Sequence, residues 1–242
     1  MDIANRTVFI VGGSTGIGAG LARRFEAAGS TVVVGARRNA AVEIDVTDDA
    51  SVRRARDQVL ASHPGLDVVV VSAGIMATED LRDPAHFDTA RTTIETNLVG
   101  TIRVVDAFTP HLIGRGAGAF VTVTSGIGFL PFPLMPTYAA SKAGVHAYSE
   151  ALRAQLDGTG VEVAELVPPA VATVPEAKRM NPNALDLEPF LDEVMGQLGE
   201  SPTPHEILVE GVLMHRWAER DGTYDDLVKQ RSAALRTLSG RS

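Results

Sequence analysis

Tyr138-Ala139-Ala140-Ser141-Lys142 sets a phenol and an ammonium four residues apart, a spacing that brings both to one face of a helix. Thirteen residues earlier, Ser125 closes an apolar run that reads as a strand. A hydroxyl at the carboxyl end of a strand, with a Tyr-x-x-x-Lys helix beside it, can converge on one carbonyl. A second constellation stands near the N-terminus, in Val11-Gly12-Gly13-Ser14-Thr15-Gly16-Ile17-Gly18. There an apolar run ends and a helical period begins. Glycines let the backbone turn sharply and approach a pyrophosphate, and the following helix offers unpaired N–H groups and a partial positive charge. The alternative is a purely structural tight turn; the strand before it and the helix after it favour phosphate.

The end of the second apolar run selects between dinucleotides. An Asp or Glu there would hold the ribose hydroxyls and suit NAD, but this chain has Gly35-Ala36-Arg37-Arg38. Two guanidinium groups and no carboxylate favour a 2′-phosphate, hence NADP(H), with Arg37 the primary contact and Arg38 secondary. A charge-assisted contact is worth roughly 1.5–3 kcal/mol, on the order of a tenfold to hundredfold preference. The competing reading is two arginines that simply solvate a loop. Asp45, in Ile44-Asp45-Val46, can accept from an adenine amino group or serve a turn or N-cap; spacing alone does not choose.

These groups need a frame. Candidate strands are Thr7–Val11, Thr31–Gly35, Ala41–Ile44, Val68–Val71, Ala119–Thr124 and Glu162–Val167, with a further one at Ile207–Val209. Several are near-continuous Val/Ile runs, as expected of strands covered on both faces. Between the first two, Ile17, Leu21, Phe25 and Ala28 share a helical face that Gly29 stops; after Tyr138, Val145, Tyr148, Leu152 and Leu156 do the same up to Asp157-Gly158. The alternation predicts an α/β fold: one Rossmann-like, doubly wound parallel sheet of about seven strands with helices on both faces. We read residues 1–242 as a single domain. Residues 174–204, with five prolines and an amphipathic stretch at Glu188–Leu198, read as a helical lid insertion near the C-terminus, or as a surface excursion without gating.

Composition narrows the partners. A chain of 242 residues, 45% hydrophobic, buries enough surface to need no metal or disulfide, and none of its residues is cysteine. Thiolate catalysis and cysteine metal sites are therefore excluded, and the six histidines show no metal-ligand spacing. A net charge of −8 argues against nucleic acid. No apolar run approaches the ~18 residues of a membrane span and no export signal opens the chain, so a cytoplasmic protein is expected.

The ordered set Gly12-x-x-x-Gly16-x-Gly18, Asp45, Asn97, Ser125, Tyr138-x-x-x-Lys142 and Thr173 resembles the short-chain dehydrogenase/reductase family of the classical type, over residues 5 to about 173. That resemblance implies NADPH-dependent reduction of a ketone or aldehyde. Tyr138 is then the general acid, Lys142 holds the nicotinamide ribose and lowers the phenol pKa, and Ser125 donates to the developing oxyanion. Asn97, in Asn97-Leu98-Val99-Gly100 at the start of a helix, holds a water linking Lys142 to solvent. The cofactor set becomes Gly12, Ser14, Thr15, Gly16, Ile17, Gly18, Arg37, Arg38, Asp45, Val46, Ala73, Gly74, Tyr138, Lys142, Pro168, Val171 and Thr173. The apolar helix carrying Leu98, Val99, Ile102, Val104, Val105 and Phe108, with the helix after Tyr138, implies a homodimer or homotetramer.

The chain also departs from the family pattern, with Val11 for Thr, Ser72-Ala73-Gly74 for Asn-Ala-Gly, and Pro168-Pro169 for Pro-Gly. None of these touches the acid, the lysine or the serine. The uncharged loop from Ser125 to Tyr138, with Phe129 and Phe132, predicts a largely apolar substrate, joined by Met180, Phe190 and Met195 of the lid segment. His146 reads as a helix-surface or interface residue, and Tyr148 and Trp217 as packing. Imine reduction, epimerisation, or non-catalytic NADP sensing are the rival functions on the same scaffold.

Overall fold

A computed structural model describes residues 1–238, without the side chains of Pro175 and Met180. β1 (Thr7–Val11) runs through the glycine turn into α1 (Gly16–Ala27), followed by β2 (Thr31–Ala36), β3 (Val42–Glu43), α2 (Asp49–Ser62) and β4 (Val68–Val71). α3 (His86–Ile94), a π-helical turn at Glu95–Val99 and α4 (Gly100–Arg115) follow without a break. β5 (Gly118–Val123), a 3-10 turn at Gly126–Gly128, α5 (Pro136–Gln155) and β6 (Val161–Leu166) complete the regular alternation. β7 (Val171–Ala172), α6 (Pro175–Met180), β8 (Leu185–Asp186), α7 (Leu187–Leu198) and β9 (Glu206–Ile207) come next, then α8 (Glu210–Arg216), α9 (Tyr224–Ser232) and a 3-10 turn at Ala233–Thr237.

Seven strands form one sheet in the order β3-β2-β1-β4-β5-β6-β9, and every neighbouring pair is parallel. The chain winds outward from β1, then crosses back to β4, so the order reverses between these two strands. In open sheets of this kind ligands bind at that reversal, outside the carboxyl ends of the strands. The sheet separates two apolar cores. Phe9, Val69, Val71, Phe108 and Phe120 fill one, and Val8, Ile10, Val68, Val70, Leu21 and Phe25 the other. Alternate residues of β1 and β4 serve opposite cores, which is why these strands read as unbroken apolar runs.

The 174–204 segment is partly built into the second core. Phe190, Leu191, Val194 and Leu198 of α7 are buried there, and Leu191 lies so close over α1 that a Cβ on Gly20 would stand 2.3 Å from it. Arg24 pins the same helix through Glu188 and Asp192, each at 2.8 Å. Phe190 and Met195 are therefore core side chains, not pocket lining: the apolar stripe of α7 turns toward α1 and the sheet. The Met180 side chain lies outside the described residues. Among the described residues no helix is long and apolar enough to cross a membrane.

Candidate active site

α5 begins at Pro136 without a side-chain cap of its own. Its first turn is held instead by Glu79, from the segment after β4. One Glu79 oxygen accepts the Thr137 N–H at 3.1 Å, the other accepts the Thr137 hydroxyl at 2.8 Å, and the Glu79 N–H donates to Leu134 O at 2.9 Å. The carboxylate, 1% exposed, also lies 3.2 Å from His86 Nδ1. An anion at a helix N-terminus is favoured by the helix dipole as well as by its hydrogen bonds. Tyr138 is the next residue, so Glu79 fixes where the phenol stands. Glu79→Ala is expected to cost about 1–3 kcal/mol, read as a lowered midpoint in urea unfolding; an unchanged midpoint would mean the cap is redundant.

Tyr138, Ser125 and Lys142 converge as their spacing predicts. Burial pushes the Tyr138 phenol above its ordinary pKa, and a hydrogen bond with Ser125 acts in the opposite sense. Ser125 is buried at the end of β5, and its hydroxyl also lies 3.4 Å from Pro168 O. Lys142, one helical turn past Tyr138, is 5% exposed and donates to Val123 O at 2.7 Å. Its Nζ sits 5.7 Å from the centre of the Tyr138 ring. Burial lowers the Lys142 ammonium to about 8, and the charge of Glu165 resists that shift.

Asn97 is not at a helix start. It lies in the π-helical turn joining α3 to α4, fully buried. Its side chain is spent on structure: Oδ1 accepts from Ile75 N at 2.8 Å, while Nδ2 donates to Ile75 O at 2.9 Å and Ser141 Oγ at 3.1 Å. These bonds tie the segment after β4 to α5. Gly74 is wedged beside them, since a Cβ there would lie 3.3 Å from Asn97 Oδ1 and 3.6 Å from Lys142 Nζ.

The glycine turn has the shape a dinucleotide requires. Gly12 takes φ +85°, and a Cβ on it would stand 2.5 Å from Ala73 N, so only glycine lets the ends of β1 and β4 meet this closely. A Cβ on Gly18 would stand 2.3 Å from Gly12 O, which locks α1 onto the turn. Thr15 makes no side-chain cap to α1, whose first turn is entered through Gly16, Ile17 and Gly18 after Ser14. Thr173 leans over Gly16, just after Val171 of β7, and Pro168 O accepts the Gly126 N–H at 2.9 Å. Arg37 and Arg38 follow β2 exposed, and neither makes a salt bridge among the described residues. Asp45 serves a turn, its Oδ1 accepting the Thr47 N–H at 2.9 Å and the Thr47 hydroxyl at 2.7 Å. Val46 is buried against Gly100 of α4.

Part of the apolar loop is turned away from the site. Phe129 packs edge-on against His146 at 4.6 Å and under the Arg216 guanidinium at 4.6 Å, and Leu130 is fully buried. Ile127, Phe132 and Met135, like Phe129, are partly exposed. His146 is not a free surface residue: its Nδ1 lies 2.8 Å from a carboxylate oxygen of fully buried Glu165. Glu79 and Glu165 escaped the reading of the sequence, and His146 was read there as a helix-surface or interface residue without its partner. Glu165 had a signal, an acid in phase with Val161 and Val163 on the inward face of a strand.

A family model described as short chain dehydrogenase matches residues 6–183. An uncharacterized oxidoreductase, DltE, of Bacillus subtilis (strain 168) is 35% identical over 187 residues, covering 72% of this chain and 74% of the relative. Sulfoacetaldehyde reductase 2 of Chromohalobacter salexigens is 32% identical over 178 residues, 66% of this chain and 71% of the relative. A short chain dehydrogenase from Burkholderia cenocepacia J2315, solved in complex with NADP, superposes with a TM-score of 0.82 at 25% identity, over 94% of this chain and all of the other.

Proposed function

The chain belongs to the short-chain dehydrogenase family, whose members are oxidoreductases, and from that premise we propose that it uses NADPH to reduce a largely apolar ketone or aldehyde to an alcohol. The observation that carries this reading is the meeting of Tyr138, Ser125 and Lys142 beside the glycine turn, at the carboxyl edge of the sheet. Bound nicotinamide supplies a hydride to the carbonyl carbon. Tyr138 delivers its phenolic proton to the oxygen as the C=O electron pair moves onto it, and Ser125 donates a hydrogen bond to the same oxygen. The Lys142 ammonium stabilises the phenolate left behind and holds the ribose. Asn97 keeps the segment after β4 against α5 through its bonds to Ile75 and Ser141. Gly12, Gly16, Gly18, Ala73 and Gly74 give the dinucleotide close backbone contact; Arg37, with Arg38, takes the 2′-phosphate.

The solved relative with NADP supports this choice of cofactor, and reduction is the direction it favours. Ile127, Phe132 and Met135 give the pocket an apolar wall. With α7 anchored in the core, a substrate lid is confined to residues 174–186. The partly exposed Leu98, Val99 and Ile102 pair copies of this chain as a homodimer or homotetramer, in the cytoplasm.

A panel of ketones and aldehydes, scored by NADPH consumption, tests the reading. Turnover of apolar carbonyls supports it, whereas turnover of small, highly charged ones alone would exclude the apolar pocket. The lysine adds a pH dependence. Its ammonium must be present, so kcat/KM for NADPH is expected to hold below about 8 and fall as pH rises through that value. A profile flat across that range would remove Lys142 from the reaction.

A further inference from the structure

One turn beyond Lys142 on α5, His146 joins a polar cluster that the proposed reaction does not use. Glu165 sits on β6, the strand next to the sheet edge, flanked by β5 and the edge strand β9, and is 0% exposed. A carboxylate cannot stay ionised at such a position without compensation. One oxygen accepts the Thr124 hydroxyl at 2.7 Å, and the other faces His146 Nδ1 at 2.8 Å. Thr124 directly follows Val123, whose carbonyl accepts from Lys142 Nζ. The carboxylate is thus joined directly to His146 and, through Thr124 and the adjoining Val123 carbonyl, to Lys142 one turn earlier on α5; Lys142 and Glu165 form no direct salt bridge among the described residues.

We infer that Glu165 is the buried counter-ion that keeps the Lys142 ammonium charged, and that His146 shares that carboxylate and connects it to the protein surface. The charged groups around the pair agree. Lys142 has Tyr138 on its own helix and Glu165 across on β6. His146 faces Glu165 on β6, Glu206 on β9 at 3.9 Å, Glu150 on α5 and Arg216 on α8. His146, Glu165 and Glu206 lie close enough together to hold a metal ion, with ligand atoms within 4.8 Å of one another. Arg216 already occupies Glu206 through Nε at 2.8 and 3.0 Å, and Lys142 and His146 supply the remaining positive charge. The cluster is thus a charge support for the lysine, with Glu165 and His146 as positioning residues. It gives a reason for a buried acid on a strand whose other buried residues are apolar.

The assignment rests on the reductase reading for its purpose, but its test needs no turnover. The chain has only three lysines, Lys142, Lys178 and Lys229, so side-chain carbon-13 NMR of labelled lysine resolves each one. Lys142→Arg identifies the signal by its loss. In the unmodified protein the Lys142 signal should titrate near 8. Glu165→Gln should move that transition down by about one unit or more, and Glu165→Asp, which keeps the charge, should restore most of it. His146→Gln removes the imidazole that competes for the carboxylate and should move the transition up. A Lys142 transition unmoved by Glu165→Gln overturns the assignment. If that variant does not fold, a transition unmoved or lowered in His146→Gln overturns it. Expected shifts in a protein that reduces no carbonyl would sink the reductase reading alone.

Discussion

Tyr138→Phe is expected to lower kcat by roughly 10²–10⁴-fold while NADPH binding largely survives. The substitution removes one oxygen from a side chain set between Ser125 and Lys142 and leaves the ring that packs there. Without the phenol, the carbonyl oxygen has no positioned proton donor at the moment its charge develops. The glycine turn and the exposed arginines after β2 are untouched, so a cofactor titration should barely change. The two readouts together separate an enzyme from a cofactor sensor. Loss of turnover with intact binding assigns the proton to Tyr138. Turnover close to that of the unmodified protein would mean that another group is the acid.

Arg37→Ala is expected to erase most of a tenfold to hundredfold preference for NADPH over NADH, on the order of what one charge-assisted phosphate contact contributes. The effect should fall almost entirely on the NADPH dissociation constant, because NADH lacks the phosphate that the guanidinium recognises. Arg38→Ala should do less. The side chains are exposed and free of salt bridges among the described residues, so neither change should disturb the fold. Equal binding of both dinucleotides before any substitution would leave the glycine turn intact as a cradle, but would remove the basis for NADP and for the reductive direction.

Much of the frame was legible because its signals are local. Near-continuous valine runs marked strands buried on two faces, and the positive-φ glycines stood where β1 turns into α1. Tyr138 and Lys142 were legible because a four-residue spacing has one meaning on a helix. What escaped depends on contacts between distant segments. Glu79 caps a helix that starts 57 residues later in the chain, and nothing near Pro136 announces that its cap comes from elsewhere. The π-helical turn at Asn97 has no sequence period of its own, so the residue read as the start of a helix instead of a kink within one. The amphipathic stripe of α7 was read correctly as a helix and wrongly as pocket lining, because a stripe does not say which surface it meets. His146 looked bland for the same reason: its partner Glu165 is on a strand that the sequence alone does not place beside it.

The central claim is hydride transfer to a carbonyl, and NADPH carrying deuterium at the transferring carbon tests it most directly. A carbonyl that turns over should be converted to an alcohol isolated with one deuterium on the former carbonyl carbon, and none when Tyr138→Phe is used over the same interval. NADPH consumed without deuterium in the product, or a product in which the carbonyl persists, would contradict carbonyl reduction by this site.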